Sequence, residues 1–264
     1  MNGCERIAEA FEAALADGRQ AALMPYLMAG YPDLERSRGV ARAYVEGGAD
    51  LIELGLPFSD PLADGAVIQA AGAAALAGGV RVAEALAVAR EVSDKVPVVV
   101  MCYANLVMAR GAERFADQLL EVGASGLIVP DLPFEEAPAM LEALDARGLA
   151  LVPLVAPTTP DERLRIIGER ARGFIYTVSV TGTTGERRST ADELPGMISR
   201  VKACAAVPVA VGFGIGTAEQ AREAAQAGAD GVIVGSRLVR EAGAAARPET
   251  AVAELVRAFA GALR

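Results

Sequence analysis

Eight short apolar runs recur along this chain, at residues 23–29, 51–54, 98–101, 127–129, 151–155, 174–178, 209–212 and 232–234. Each is too short to be a helix, and none alternates with period two. Strands buried on both faces of a parallel sheet look like this. Between the runs lie Ala-, Glu- and Arg-rich stretches of helical period, at 35–45, 80–92, 112–122, 136–147 and 217–227. Strand and helix in repeated alternation indicate the α/β class. A weak internal repeat binds the series together: Gly48-Ala49-Asp50, Gly123-Ala124-Ser125 and Gly228-Ala229-Asp230 each precede an apolar run. In each, glycine ends a helix and a polar residue turns the chain into the next strand. With no Pro/Ser-rich linker or charge block, residues 1–264 read as one domain. Eight strands in one domain predict a closed (β/α)8 TIM barrel, with an extra N-terminal helix and a short phosphate-binding helix from Ser236, after the eighth strand. An open doubly wound sheet would want a phosphate loop after its first strand. The segment there is Ala29-Gly30-Tyr31-Pro32, without the G-x-G-x-x-G pattern.

Composition narrows the chemistry. The chain has no histidine, so imidazole bases, Ser-His-Asp and Cys-His triads and His-ligated metal sites are excluded. Of 25 basic residues only Lys95 and Lys202 are lysine, and both precede strands, at the wrong end of a barrel for a Schiff base. A net charge of −9 argues against nucleic acid and anionic membrane as partners. Cys4, Cys102 and Cys204 fit neither a disulfide framework nor metal-ligand spacing, which points to a reducing cytoplasm. No apolar run approaches a membrane span, and the acidic, amphipathic N-terminus does not read as a signal peptide.

In a barrel, chemistry sits in the loops after the strands. The second run leads into Glu53-Leu-Gly-Leu-Pro-Phe-Ser-Asp60-Pro61-Leu-Ala-Asp64-Gly65. Alternation puts Leu51 and Glu53 on the face opposite Ile52 and Leu54. Glu53 reads either as a structural ion pair in the mouth or as an acid–base with a raised pKa. Taken alone, Asp64 reads as a turn residue or helix N-cap. Three late loops are rich in glycine: Gly182-Thr183-Thr184-Gly185, Gly212-Phe213-Gly214-Ile215-Gly216 and Gly235-Ser236. Any one of them could be a mere tight turn. Together they fall where barrels hold phosphate on backbone N–H groups and a helix N-terminus, a device that lets an acidic protein bind an anion. Arg187-Arg188 reads as a solvated pair rather than a clamp.

The segment from Glu53 to Gly65, with Ile68-Gln69 after it, closely resembles the signature of the tryptophan synthase α-subunit family. The resemblance continues in order through Met101-Cys102-Tyr103-Ala104-Asn105, Pro130-Asp131-Leu132-Pro133-Phe134, Tyr176 to Gly185, Gly212-Phe213-Gly214-Ile215 and Gly235-Ser236, and covers about 25–239. It implies retro-aldol cleavage of indole-3-glycerol phosphate to indole and glyceraldehyde 3-phosphate. By matching position, Glu53 is the acid–base and Asp64 hydrogen-bonds the indole N–H and stabilises the ring-protonated cation. Gly185, Gly214, Gly235 and Ser236 match phosphate contacts; Tyr26, Tyr176, Thr184 and Phe213 match pocket and loop residues. Tyr26 stands where phenylalanine is often found, and Val180 where some members carry arginine. The resemblance further implies a sixth loop that closes over substrate, no metal and no cofactor in this chain, and a β-subunit partner, itself a pyridoxal-phosphate enzyme, in an α2β2 assembly, with Asp60 and Pro61 at the interface. Protonated indole is its own electron sink, so neither a Schiff base nor a metal is required. Two other readings are a stand-alone lyase with the same site and a catalytically silent barrel that regulates a partner. Metal-dependent sugar-phosphate epimerases and indole-glycerol-phosphate synthase are disfavoured, for want of histidines and of a lysine at a strand end.

Overall fold

In the structure, a computed structural model of the chain, residues 1–178, 190–212 and 214–264 are described, with 190–193 in backbone only. The apolar runs become nine strands among the described residues: β1 (Ala22–Met28), β2 (Ile52–Gly55), β3 (Val98–Met101), β4 (Gly126–Ile128), β5 (Ala150–Leu151), β6 (Leu154–Val155), β7 (Ile175–Val178), β8 (Val209–Gly212) and β9 (Gly231–Val234). They form one parallel sheet in the order β5-β4-β3-β2-β1-β9-β8-β7-β6. The two end strands are consecutive pieces of a single run, so the ring closes through residues 150–155. The expected fifth strand is split because Pro153 has no N–H for the ladder. Val152 N–H donates to Leu127 O on the β4 side (2.9 Å), and Pro153 O accepts from Tyr176 N–H on the β7 side (2.9 Å).

Strand alternation sorts the core into two shells. Leu23, Leu27, Ile52, Leu54, Val98, Val100 and Leu127 face the surrounding helices. Ala22, Met24, Leu51, Val99, Ile128, Ala150, Phe174, Tyr176, Ala210 and Ile233 face inward. The lowest inward layer is built of small residues, and the helix Gly3–Ala16 fills the space they leave with Ile7, Phe11 and Ala14. The Phe11 and Phe174 ring centroids are 5.9 Å apart. A Cβ on Gly231 would come within 2.8 Å of the Phe11 ring, so that position needs glycine. The expected extra N-terminal helix is therefore the barrel's floor.

The repeated Gly-Ala-polar triplet has a common geometry. Gly48, Gly123 and Gly228 all take positive φ (96°, 73° and 101°). In each, the next residue's N–H reaches back into the helix: Ala49 to Tyr44 O, Ala124 to Leu119 O and Ala229 to Ala224 O. This closing pattern needs a left-handed residue, which glycine adopts without penalty. The aspartates then join neighbouring strands. Asp50 accepts from Leu23 N–H (2.8 Å) and Arg19 (2.6 Å), and Asp230 from Val209 N–H (2.8 Å) and Lys202 (2.6 Å).

Two expected helices are shorter than their periodic stretches. The stretch 80–92 breaks into Val82–Ala87 and a 3-10 turn, Ala89–Glu91. The stretch 136–147 begins its helix only at Pro138, a residue suited to a first helical turn. Among the described residues no single helix is long and apolar enough to cross a membrane.

Candidate active site

All the strands of a parallel barrel end on the same face, and the expected site residues gather there. Tyr26 on β1 and Glu53 on β2 are direct neighbours in register, and Val99 on β3 flanks Glu53 on its other side. Tyr176 comes from β7. Glycines make room for the two tyrosines: a Cβ on Gly55 would collide with the Tyr26 phenol, and one on Gly212 with the Tyr176 phenol. These rings therefore lie at the top of the interior, with Tyr26 directly beside Glu53.

Glu53 is 1% exposed, has no ion-pair partner among the described residues, and leaves Oε2 without a hydrogen-bond partner. Desolvation, followed by the charge of Asp64, pushes its pKa up to about 8. Among the described residues, therefore, no structural ion pair holds Glu53. Asp64 is partly buried on the loop after β2. Burial raises its pKa to about 6 against the opposing hydrogen bond from Tyr103. It does not cap a helix: Gly65 is the N-cap of Ala66–Ala77. Instead the loop is held by Gln69, whose Nε2 donates to Asp64 O (2.8 Å) and Pro61 O (3.3 Å).

Both carboxyls face one cavity of about 370 Å³, lined also by Tyr26, Tyr176, Gly214, Gly235 and Ser236. Its far wall is the start of the helix Ser236–Ala244, whose first N–H groups have no acceptor within the helix. Gly214 sits there at φ 80° with open space around it. The wall offers backbone amides, and the floor offers two carboxyls and two phenols. A phosphate-bearing ligand can be held at one end and worked on by acids at the other. Thr184, Gly185, Phe213, Val180 and the Arg187-Arg188 pair lie outside the described residues. Asp60 is exposed and Pro61 half-exposed on the outer side of the loop after β2, and neither lines the cavity.

Sequence reading assigned no part to three residues that the structure brings here. Tyr103 accepts a hydrogen bond from Ala63 N–H at 3.0 Å and lowers the pKa of the adjacent Asp64. Arg237 and Arg240 line the phosphate-type wall. Arg237 is paired with Glu241 (2.6 Å), whereas Arg240 has no ion pair among the described residues. Arg240 follows Ser236 by one helical turn, a spacing that was the available signal. A second cavity of similar volume lies beside the segments after β4 and β6. Its charged groups are already engaged, Asp131 with Ala104 N–H (2.8 Å) and Arg163 with Glu135 (2.8 Å).

Residues 11–263 match the family described as Tryptophan synthase alpha chain. The chain belongs to that family. It is 50% identical to the tryptophan synthase alpha chain of Prochlorococcus marinus (strain MIT 9313) over 242 residues, covering 91% of this chain and 88% of that one. It is 50% identical to the alpha chain from Methanosarcina mazei over 235 residues, 89% of this chain and 86% of the relative. Among solved structures, Mycobacterium tuberculosis tryptophan synthase superposes with a TM-score of 0.89 at 42% identity, covering 98% of both chains. The tryptophan synthase alpha chain from Legionella pneumophila superposes at 0.87 and 35% identity, over 100% of this chain and 97% of that one. The tryptophan synthase alpha fold and family expected from the motif at Glu53–Gly65 are thereby established.

Proposed function

We propose that this chain performs its family's reaction with Glu53 and Asp64 as the working pair. It is a carbon–carbon lyase of tryptophan biosynthesis that cleaves indole-3-glycerol phosphate to indole and glyceraldehyde 3-phosphate. The observation that carries the residue roles is the meeting of two carboxyls with raised pKa values in one cavity, facing the N-terminus of the helix Ser236–Ala244. An acid works best when its pKa lies near the working pH, and a carboxyl at about 8 is protonated at neutrality yet able to cycle. Glu53 gives its proton to the indole ring carbon that bears the glycerol chain. The cation so formed is stabilised by the Asp64 carboxylate, which accepts a hydrogen bond from the indole N–H. The Glu53 carboxylate then takes the proton of the adjacent glycerol hydroxyl. The carbon–carbon bond breaks, its electron pair returns to the ring, and indole and the aldehyde are released with Glu53 again protonated.

The phosphate is assigned to the amides at Gly214, Gly235 and Ser236, with Gly185 completing the set. Tyr26 and Tyr176 wall the indole end, with Thr184 and Phe213. The chain supplies this chemistry without a cofactor of its own. Asp60 and Pro61, on the outer side of the loop that carries Asp64, face a β-subunit partner that holds pyridoxal phosphate, in an α2β2 assembly. Residues 1–264 act as one barrel domain, and the site suits a cytoplasmic enzyme. The test is indole release from indole-3-glycerol phosphate by wild type and Glu53→Gln, with and without added β subunit. Wild type should turn over and co-elute with the partner, while the variant loses at least a hundredfold in kcat and still binds glycerol phosphate. Near-normal turnover by Glu53→Gln would sink the assignment.

A further inference from the structure

The two carboxyls reach the cavity by unlike routes. Glu53 is fixed by a strand paired on both sides, whereas Asp64 stands on an irregular loop, residues 57–65. Gln69 secures that loop by its backbone carbonyls. Among the described residues Tyr103 also grips it, with its side chain. Its ring stacks on Phe58, centroids 5.2 Å apart and planes at 21°. Its hydroxyl accepts from Ala63 N–H at 3.0 Å, next to Asp64 in the chain, and its proton lowers the Asp64 pKa against the rise that burial causes. A phenol has this capacity and no more: one proton to give and lone pairs to receive. Burial keeps that proton on, because it raises the Tyr103 pKa above the ordinary phenol value. Tyr103 is itself held. It follows β3 directly and is the N-cap of the helix Ala104–Met108, whose first N–H is bound by Asp131 from the segment after β4 (2.8 Å).

We infer that Tyr103 is a positioning residue: anchored to β3 and β4, it fixes the loop after β2 at Phe58 and Ala63 and so sets where the Asp64 carboxylate stands in the cavity. The inference rests on the assignment of Asp64 to the indole N–H, and it adds a residue that acts through Asp64 without carrying out the proton transfers. The other titratable groups that interact with Asp64 are Glu53, Tyr26 and Tyr176 from the strands, while Arg237 and Arg240 line the same cavity from the helix wall.

Tyr103→Phe removes the hydroxyl and keeps the ring on Phe58, so the loop retains its stacking partner. Two readings test it: the titration of the Asp64 carboxyl carbon by 13C NMR in the ligand-free protein, and kcat/KM for indole-3-glycerol phosphate against pH. Loss of the opposing hydrogen bond lets burial act alone. The Asp64 midpoint should rise above its wild-type value of about 6, and the acid limb of kcat/KM should move to higher pH with it. At pH 7, kcat/KM should fall about tenfold or more through misplacement and protonation together. An unmoved Asp64 midpoint overturns the inference, and so does a fall in activity with the acid limb in place. Should the wild-type chain fail to cleave the substrate, the proposed reaction falls, while the NMR titration still decides the role of Tyr103.

Discussion

Replacing Glu53 by glutamine should make the protein more stable at alkaline pH, and by an amount that depends on pH in a defined way. The carboxyl titrates at 4.5 when free and at about 8 in the folded barrel, because burial beside Asp64 opposes its charge. The folded state therefore binds this proton more tightly than the unfolded state. Stability from this residue is full below 4.5, declines through the interval up to about 8, and is flat above it. The whole difference corresponds to roughly 4 to 5 kcal/mol for an ionised Glu53. Glutamine has a similar shape and no proton to lose, so the variant escapes the decline. Thermal unfolding of both proteins at pH 5, 7 and 9 measures it. The melting temperatures should nearly coincide at pH 5 and separate at pH 9 by on the order of 10 °C in favour of the variant. Parallel curves with a constant gap would refute the claim that burial of this carboxyl stores free energy. A variant less stable at pH 9 than at pH 5, relative to wild type, would reverse its sign.

Three further outcomes follow from the same geometry. The profile of kcat/KM against pH should be a bell between about 6 and about 8, since Asp64 loses its acceptor form below the first value and Glu53 its donor form above the second; these limbs belong to the coupled pair, and full activity at pH 9.5 would contradict the acid role. Gly212→Ala and Gly55→Ala drive a Cβ into the phenols of Tyr176 and Tyr26; each should cost about 1 to 3 kcal/mol by denaturant titration and raise KM, and a variant with unchanged KM and stability would show that the rings do not depend on those glycines. Arg240→Gln should raise KM for the substrate several-fold at low salt with kcat little changed, the difference shrinking at high salt as exposed charges are screened; a KM independent of the substitution removes Arg240 from the phosphate wall.

The strands were legible because a two-sided strand must be apolar throughout, and eight such runs could be counted without knowing any contact. The helix closures at Gly48, Gly123 and Gly228 were legible too, since the left-handed turn they make demands glycine. The division of the fifth strand was not, although Pro153 stood in plain view: an apolar run reads alike whether its N–H groups pair with one neighbour or change neighbours midway. At the site, Glu53 could be placed on the inward face by alternation, but its lack of an ion-pair partner among the described residues depends on what surrounds it across the barrel. Asp64 misled as a cap because a loop aspartate before a helix usually is one. Tyr103 was quoted only as part of a motif, since nothing in a sequence says that an aromatic residue after β3 will stack on Phe58 from the loop after β2.

The helix that forms the barrel's floor has a consequence for traffic. With Ile7, Phe11 and Ala14 closing the lower end, the interior is a blind well, and substrate must arrive by the mouth through which products leave. Indole, small and uncharged, would escape into solvent from such a well as soon as it forms. In the proposed assembly, a β-subunit partner would take it up over the rim, beside the loop bearing Asp60 and Pro61. The stopper at one end of the barrel decides at which end indole is handed on.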